Sequence, residues 1–212
     1  MRKVTIIDYG LGNLLSVKRA FEYIGAQVEI AESPKMVEQA ERLVLPGVGS
    51  FERGLQGLSR RNLIDSIIAY AESGKPLLGI CLGMQMLMER GFENGLHTGL
   101  GLILGEVVPI PPINQSNHQI RHIPHMGWNH LNPAAIPWKG TILNNIEPDS
   151  PVYFVHSYMT VPVADNDTLA TCRYDDETII AAMRKDNISG CQFHPEKSGS
   201  VGLMMLDNFI SL

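Results

Sequence analysis

Cysteine is scarce in this sequence: three residues in 212, at Cys81, Cys172 and Cys191. Three thiols so far apart cannot staple a small fold, which excludes a disulfide scaffold and suits a reducing, cytoplasmic setting. Long apolar runs are missing as well. None approaches the roughly 18 residues of a membrane helix, and the short charged start Met1-Arg-Lys-Val is no secretory leader. Nor is there an excess of positive charge. Lys and Arg number 17 against 22 Asp and Glu, a formal net charge of −5, which argues against a nucleic-acid binder working through a basic surface. Repeats and charge blocks are also absent. What remains is a chain 44% hydrophobic and 18% charged, able to bury a sizeable core, so residues 1–212 are expected to form a single domain.

Short apolar runs alternate with helical patterns through the first half. Residues 4–7 read as a buried strand ending at Asp8, with Gly10 and Gly12 in the turn before a helix that runs to about Tyr23. Residues 27–31 read as a second strand, with Pro34 at a first helical position. Residues 43–45 form a third, cut off by Pro46-Gly47. Leu63, Ile64, Ile67, Ile68 and Ala71 recur on one helical face that Gly74 caps, and residues 76–80 start the next strand. Such alternation implies right-handed crossovers and a largely parallel sheet covered on both faces. From Leu102 to Phe193 the chain becomes richer in strands and turns, with 152–158, 168–174 and 179–183 as strand candidates. A closing helix over about 200–210 should carry Val201, Met204, Met205 and Phe209 inward. The expected class is α/β, with an added antiparallel portion.

Gly79-Ile-Cys-Leu-Gly83 matches the pattern glycine-x-nucleophile-x-glycine, placed after an apolar strand and before a helical stretch expected over 84–90. A tight strand-to-helix turn exposes the nucleophile, and the glycines remove side chains that would clash. The helix N-terminus favours the thiolate, and the Leu82 N–H offers half an oxyanion hole. A small buried core cysteine is the alternative for the string alone. Gln192-Phe-His-Pro-Glu196 supplies a base and its orienter: Cys81, His194 and Glu196 have the nucleophile, base and orienter logic of a triad. Pro46-Gly-Val-Gly-Ser50 follows the third strand. Its glycines let backbone N–H groups approach a substrate as the second oxyanion donor, although a plain turn reads equally well. It lacks the Gly-Lys-Ser/Thr of a phosphate loop, and Asp8-Tyr-Gly-Leu-Gly-Asn13 lacks the dinucleotide fingerprint. His118, His122, His125 and His130 share no helical face, because Pro124 and Gly127 intervene, so no metal is expected. Met84, Met86 and Met88 read as packing residues.

With these residues located, the chain resembles the triad (class I) glutamine amidotransferases, and within them the glutaminase subunits of imidazole glycerol phosphate synthase. The resemblance spans essentially the whole chain. It rests on Ile7-Asp-Tyr-Gly-Leu-Gly-Asn-Leu14, Pro46-Gly-Val-Gly49, Gly79-Ile-Cys-Leu-Gly-Met-Gln85, Pro124-His-Met-Gly-Trp-Asn129, Tyr153-Phe-Val-His-Ser-Tyr158 and Gln192-Phe-His-Pro-Glu-Lys-Ser198. It implies a flavodoxin-like sheet and hydrolysis of L-glutamine to glutamate and ammonia. Cys81 would attack, His194 would move the protons and Glu196 would hold His194. Backbone groups of Val48, Gly49 and Leu82 would bind the oxyanion. Gln85 and Glu93 would hold the amino-acid end of the substrate, with His156, Ser157 and Tyr158 lining the same pocket. No cofactor is implied. The ammonia would pass to a (β/α)₈ cyclase partner in a heterodimer, which makes imidazole glycerol phosphate and an aminoimidazole carboxamide nucleotide. Trp128, Tyr153 and Lys197 match interface positions. His122 stands where Lys or Arg is common, and the segment from Pro109 to Ile120 is longer than usual for the family. Two other readings share the sequence: a paralogue supplying ammonia to a sugar-amidating enzyme of surface-polysaccharide synthesis, and a catalytically silent binding subunit.

Overall fold

The computed structural model describes residues 2–212. The first half alternates as β1 (Lys3–Ile7), α1 (Leu14–Tyr23), β2 (Gln27–Ala31), α2 (Pro34–Gln39), β3 (Leu43–Gly47), α3 (Phe51–Arg60), α4 (Ile64–Glu72), β4 (Leu77–Cys81) and α5 (Leu82–Met86). The second half holds β5 (Met88–Gly91), β6 (His97–Thr98), β7 (Ile103–Pro109), β8 (His125–His130), β9 (Asn132–Pro133), β10 (Pro151–His156) and β11 (Tyr158–Pro162). It continues with β12 (Thr168–Tyr174), β13 (Glu177–Lys185), β14 (Ile188–Cys191) and the closing α6 (Gly199–Ser211).

Eight strands form the main sheet in the order β2-β1-β3-β4-β14-β13-β12-β9. The five from β2 to β14 run parallel, and β13, β12 and β9 join antiparallel, giving the expected mixed α/β architecture. The apolar runs are continuous because both faces are covered. Along β3, Val44 enters one core cluster while Leu43 and Leu45 enter the other; β1 and β4 divide in the same way. On the first face α1 and α6 meet through Phe21 and Phe209, edge to face at 6.3 Å. Removing a ring such as Phe209 costs about 3–5 kcal/mol.

Several boundaries differ from those expected. The helix after Cys81 stops at Met86, because Met88 pairs with Ile103 of β7 and the chain turns into β5. Strand pairing there overrides helical propensity, and Met84, Met86 and Met88 are all buried in packing. The run 152–158 divides at Ser157: β10 pairs with β8, whereas β11 pairs with β7. Pro46 and Gly47 belong to β3, and α3 lies between it and α4. In α6, Met204 is 43% exposed, and Leu206 and Ile210 go inward beside Met205 and Phe209. The segment 110–122 is pinned to the β12–β13 turn. Asp176 Oδ2 accepts the Gln115 and Ser116 N–H groups at 2.7 and 3.1 Å, while Oδ1 pairs with the buried guanidinium of Arg121.

Candidate active site

Parallel α/β sheets gather their sites at the carboxyl ends of the strands, and β3, β4 and β14 all end here. Cys81 closes β4 with φ +53° and ψ −110°, a conformation that costs a non-glycine residue about 1–3 kcal/mol. The glycines on either side make the turn possible. A Cβ on Gly83 would lie 1.7 Å from the Leu45 carbonyl oxygen, and one on Gly79 would lie 2.7 Å from the Met84 nitrogen. The elbow is therefore clamped between β3 and α5, with the Leu82 N–H in the first turn of the helix.

His194 follows β14 and is buried. Its Nδ1–H donates to Glu196 Oε1 at 2.8 Å, and its backbone N–H donates to the Tyr153 carbonyl at 2.9 Å, which ties the ring to β10. Burial opposes charge on this imidazole, but contact with the Cys81 sulfur and the Glu196 carboxylate outweighs it and raises the pKa from 6.5 to about 10. Nε2 is buried without a partner in hydrogen-bond geometry, so the sulfur is close but poorly aligned. Catalytic hydrogen bonds often tighten only when substrate arrives. Across neutral pH the ring holds a proton that no other protein acceptor takes.

A cavity of about 310 Å³ opens over the thiol. It is lined by every expected pocket residue, Val48, Gly49, Cys81, Leu82, Gln85, Glu93, His156, Ser157, Tyr158 and His194, and also by Pro124 and Val155, whose place here no local sequence signal marks. Tyr9 OH bonds the Pro46 carbonyl at 2.8 Å and fixes the base of the neighbouring strand end. Beyond it Gly49 sits at φ +101° with open space around its Cα, so glycine is needed there for conformation and not for packing. Glu93 accepts the Phe51 N–H at 2.7 Å through Oε2, leaving Oε1 for a cation. Gln85 spends its Nε2 on the Tyr158 carbonyl at 3.0 Å and on Gln192 Oε1 at 2.9 Å, so its own Oε1 is the group able to accept from a ligand.

His156 is part of the wall, but both its ring nitrogens are already engaged. Nδ1 donates to the Tyr158 carbonyl at 2.8 Å and Nε2 meets His125 Nδ1 at 2.9 Å. Burial lowers His156 to about 3 and His125 to about 4, so both rings are neutral. His118, His122 and His130 are exposed, and among the described residues no three His, Cys, Asp or Glu side chains converge as a metal cage.

Trp128, Tyr153 and Lys197 lie together on an adjoining face. The two rings meet edge to face at 6.0 Å, and Lys197 Nζ stands 5.8 Å from the Tyr153 centroid. Trp128 is 58% exposed and Met126, on the same side of β8, 65%. The exposed His122 makes no hydrogen bond to this group; its carbonyl instead accepts the Tyr174 hydroxyl.

The family model for class-I glutamine amidotransferase matches residues 5–212. A protein of Legionella pneumophila (strain Lens), "Imidazole glycerol phosphate synthase subunit HisH 1", is 50% identical over 214 residues, covering 100% of both chains. The HisH subunit of Geobacter sulfurreducens is 43% identical, covering 99% of this chain and 98% of the relative. Among solved structures, PurLQS from Thermotoga maritima aligns with a TM-score of 0.72 at 20% identity, covering 100% and 99% of the two chains. That likeness concerns the fold.

Proposed function

The chain belongs to the class-I glutamine amidotransferase family, and from that premise we propose that it is the glutaminase subunit of an imidazole glycerol phosphate synthase, serving histidine biosynthesis. The observation that carries the chemistry is the meeting of Cys81 and His194 at one strand-end cavity that also presents the carboxylate of Glu93, with Glu196 behind the imidazole on Nδ1. Glutamine binds with its ammonium at Glu93 and Gln85 Oε1. Cys81 Sγ then attacks the side-chain carboxamide. The new S–C bond pushes electrons onto oxygen, and that oxyanion is held by the Leu82 N–H and by an N–H from Val48 or Gly49. As the tetrahedral centre collapses, His194 Nε2 protonates the departing nitrogen and ammonia leaves. The now neutral ring takes a proton from water, whose oxygen attacks the thioester. Glutamate departs, its carboxyl proton goes to solvent, and the thiolate–imidazolium pair is restored.

The ammonia is used elsewhere, by a (β/α)₈ cyclase that docks as a heterodimer on the face of Trp128, Tyr153 and Lys197. An exposed Trp128 against the half-buried Tyr153 ring, with a cation beside them, suits an interface centre, and the Tyr153 carbonyl accepts the His194 backbone N–H from that same face. Because Tyr9 fixes Pro46 while Gly49 is free to turn, docking and cyclase ligand act by rotating the 48–49 peptide towards the oxyanion. The three unpaired thiols suit work in the cytoplasm, and among the described residues no helix is long and apolar enough to cross a membrane.

The test is glutamate release from glutamine by the chain alone, and with the cyclase and its nucleotide ligand, beside Cys81→Ala. Strong stimulation that disappears in Cys81→Ala is expected. Equal activity with and without the liganded cyclase would overturn the gating and the choice of partner.

A further inference from the structure

We infer that Gln192 is a further catalytic residue, its side-chain amide hydrogen-bonding the Cys81 sulfur from a position fixed by Gln85 and the Tyr158 carbonyl. Gln192 is fully buried directly after β14. Its Nε2 lies 3.6 Å from Cys81 Sγ, within reach for a donor to sulfur.

The orientation of this amide follows from the groups behind it. A carbonyl oxygen can only accept, so at Tyr158 both approaching groups must present N–H: Gln85 Nε2 at 3.0 Å and His156 Nδ1 at 2.8 Å. With one Gln85 hydrogen spent there, the other goes to Gln192 Oε1 at 2.9 Å. Gln192 therefore presents oxygen to Gln85 and nitrogen to the thiol. Flipping it would set two NH₂ groups against each other and an oxygen against the thiolate. His156 is held in turn. Its Nε2 accepts from His125 Nδ1 at 2.9 Å, and His125 Nε2 faces Asn129 Nδ2 at 3.3 Å, so one chain of neutral groups runs from β8 to the nucleophile.

A donor at this position acts mainly on the resting state. Sulfur carries full negative charge before attack and little once the thioester forms, so the N–H favours the thiolate in its pair with His194. The titratable groups around the sulfur assign this work to few candidates. His194 and Glu196 stand beyond β14, Tyr9 after β1, Cys191 at the end of β14, His156 at the end of β10, and Glu93 across the cavity. Tyr9 and Cys191 are held protonated by burial and by nearby negative charge, and His156 is neutral. Among the described residues the Gln192 amide is the side-chain donor in hydrogen-bond geometry with the sulfur, since the His194 Nε2 proton is close but poorly aligned. The Val155 carbonyl, 4.0 Å away, can accept only from the protonated thiol.

The inference rests on Cys81 being the nucleophile, but its test does not require glutamine turnover. The rate of Cys81 alkylation by iodoacetamide is followed against pH in the full chain, with Cys81→Ala subtracting the two buried thiols. Gln192→Met removes the donor. Gln192→Glu keeps the acceptor for Gln85 and sets a carboxylate oxygen against the sulfur. The expected result is a profile displaced to higher pH by about one unit in Gln192→Met, a roughly 10-fold loss of alkylation rate on the acid side of its midpoint, and by more in Gln192→Glu, since the lost hydrogen bond to a charged sulfur is worth roughly 1.4 kcal/mol per tenfold. A residue with a purely structural role would change the melting temperature and leave the profile in place. If either variant folds, as judged by circular dichroism, and its profile superimposes on the wild type, the inference is overturned. Loss of turnover in Cys81→Ala separately tests the proposed function.

Discussion

Replacing Gly83 with alanine would test how the elbow is held. The added Cβ would lie 1.7 Å from the Leu45 carbonyl oxygen and 2.8 Å from its carbon, whereas ordinary contact begins at 3.4 Å. These are backbone atoms in the middle of a parallel sheet, so no rotamer change can relieve the clash. Strand β3 and helix α5 must part by more than about 1 Å, which draws the Leu82 N–H away from the oxyanion. Overpacking a core costs typically about 1–3 kcal/mol, and a rigid neighbour puts this case at the upper end. At roughly 2–4 °C per kcal/mol for a chain of this size, the melting temperature should fall by roughly 6–12 °C. Losing one oxyanion donor should cut kcat about 10²–10³-fold. Gly25→Ala is the control: its φ is +83°, with nothing within 4 Å of the new methyl, so it should lose about 1–2 kcal/mol and no activity. Calorimetry and glutamate release would read both variants. A Gly83→Ala protein that melts like the wild type and turns over at full rate would refute the steric account.

Two further outcomes follow from the charges and the loop. His125 and His156 have folded pKa values of about 4 and about 3, below their ordinary 6.5, so on acidification the unfolded chain takes up protons first. Their contribution is complete above pH 6.5 and is lost as the pH falls towards 4 for His125 and towards 3 for His156; near pH 4.5, His156 alone should cost roughly 3 kcal/mol. His194, raised to about 10, has the opposite sign, stabilising below 6.5 and losing that effect as pH climbs to 10. Urea unfolding across pH should show both limbs, and an acid limb equally steep in a His125→Gln/His156→Gln double variant would contradict the assignment. Asp176→Ala should free the segment 110–122, which it holds through Gln115, Ser116 and Arg121. Limited proteolysis should then cut within that segment much faster, at unchanged basal glutaminase rate, and an unchanged cleavage rate would show the pin to be dispensable.

Periodicity made the parallel half legible. Runs such as Leu43-Val-Leu45 are apolar throughout because they are buried on both faces, and their glycine and proline punctuation marks the ends. The clustering of Cys81, His194 and Glu196 could be read because each member sits in a short string whose local geometry is fixed by its neighbours. The Gln192 contact was not visible in the same way. Gln192 lies within the string that carries His194, but its partner Gln85 is 107 residues away, and pairing at that distance depends on how β14 docks beside β4. The helix after Cys81 was overextended for the same reason: Met84, Met86 and Met88 suit either a helix or a strand, and the distant β7 decides. Asp176 was missed because a turn aspartate gives no sign that a loop some 60 residues earlier will bond to it.

The backbone at Cys81 has one consequence for how such a protein can change. At φ +53° the position would be more comfortable as glycine, so Cys81→Gly is the rare substitution that relieves strain while destroying the reaction. Screens that reward heat resistance alone would drift towards it and enrich dead enzymes. Directed evolution of this scaffold therefore has to select on turnover at every round, or hold codon 81 fixed, because here durability and chemistry compete for a single residue.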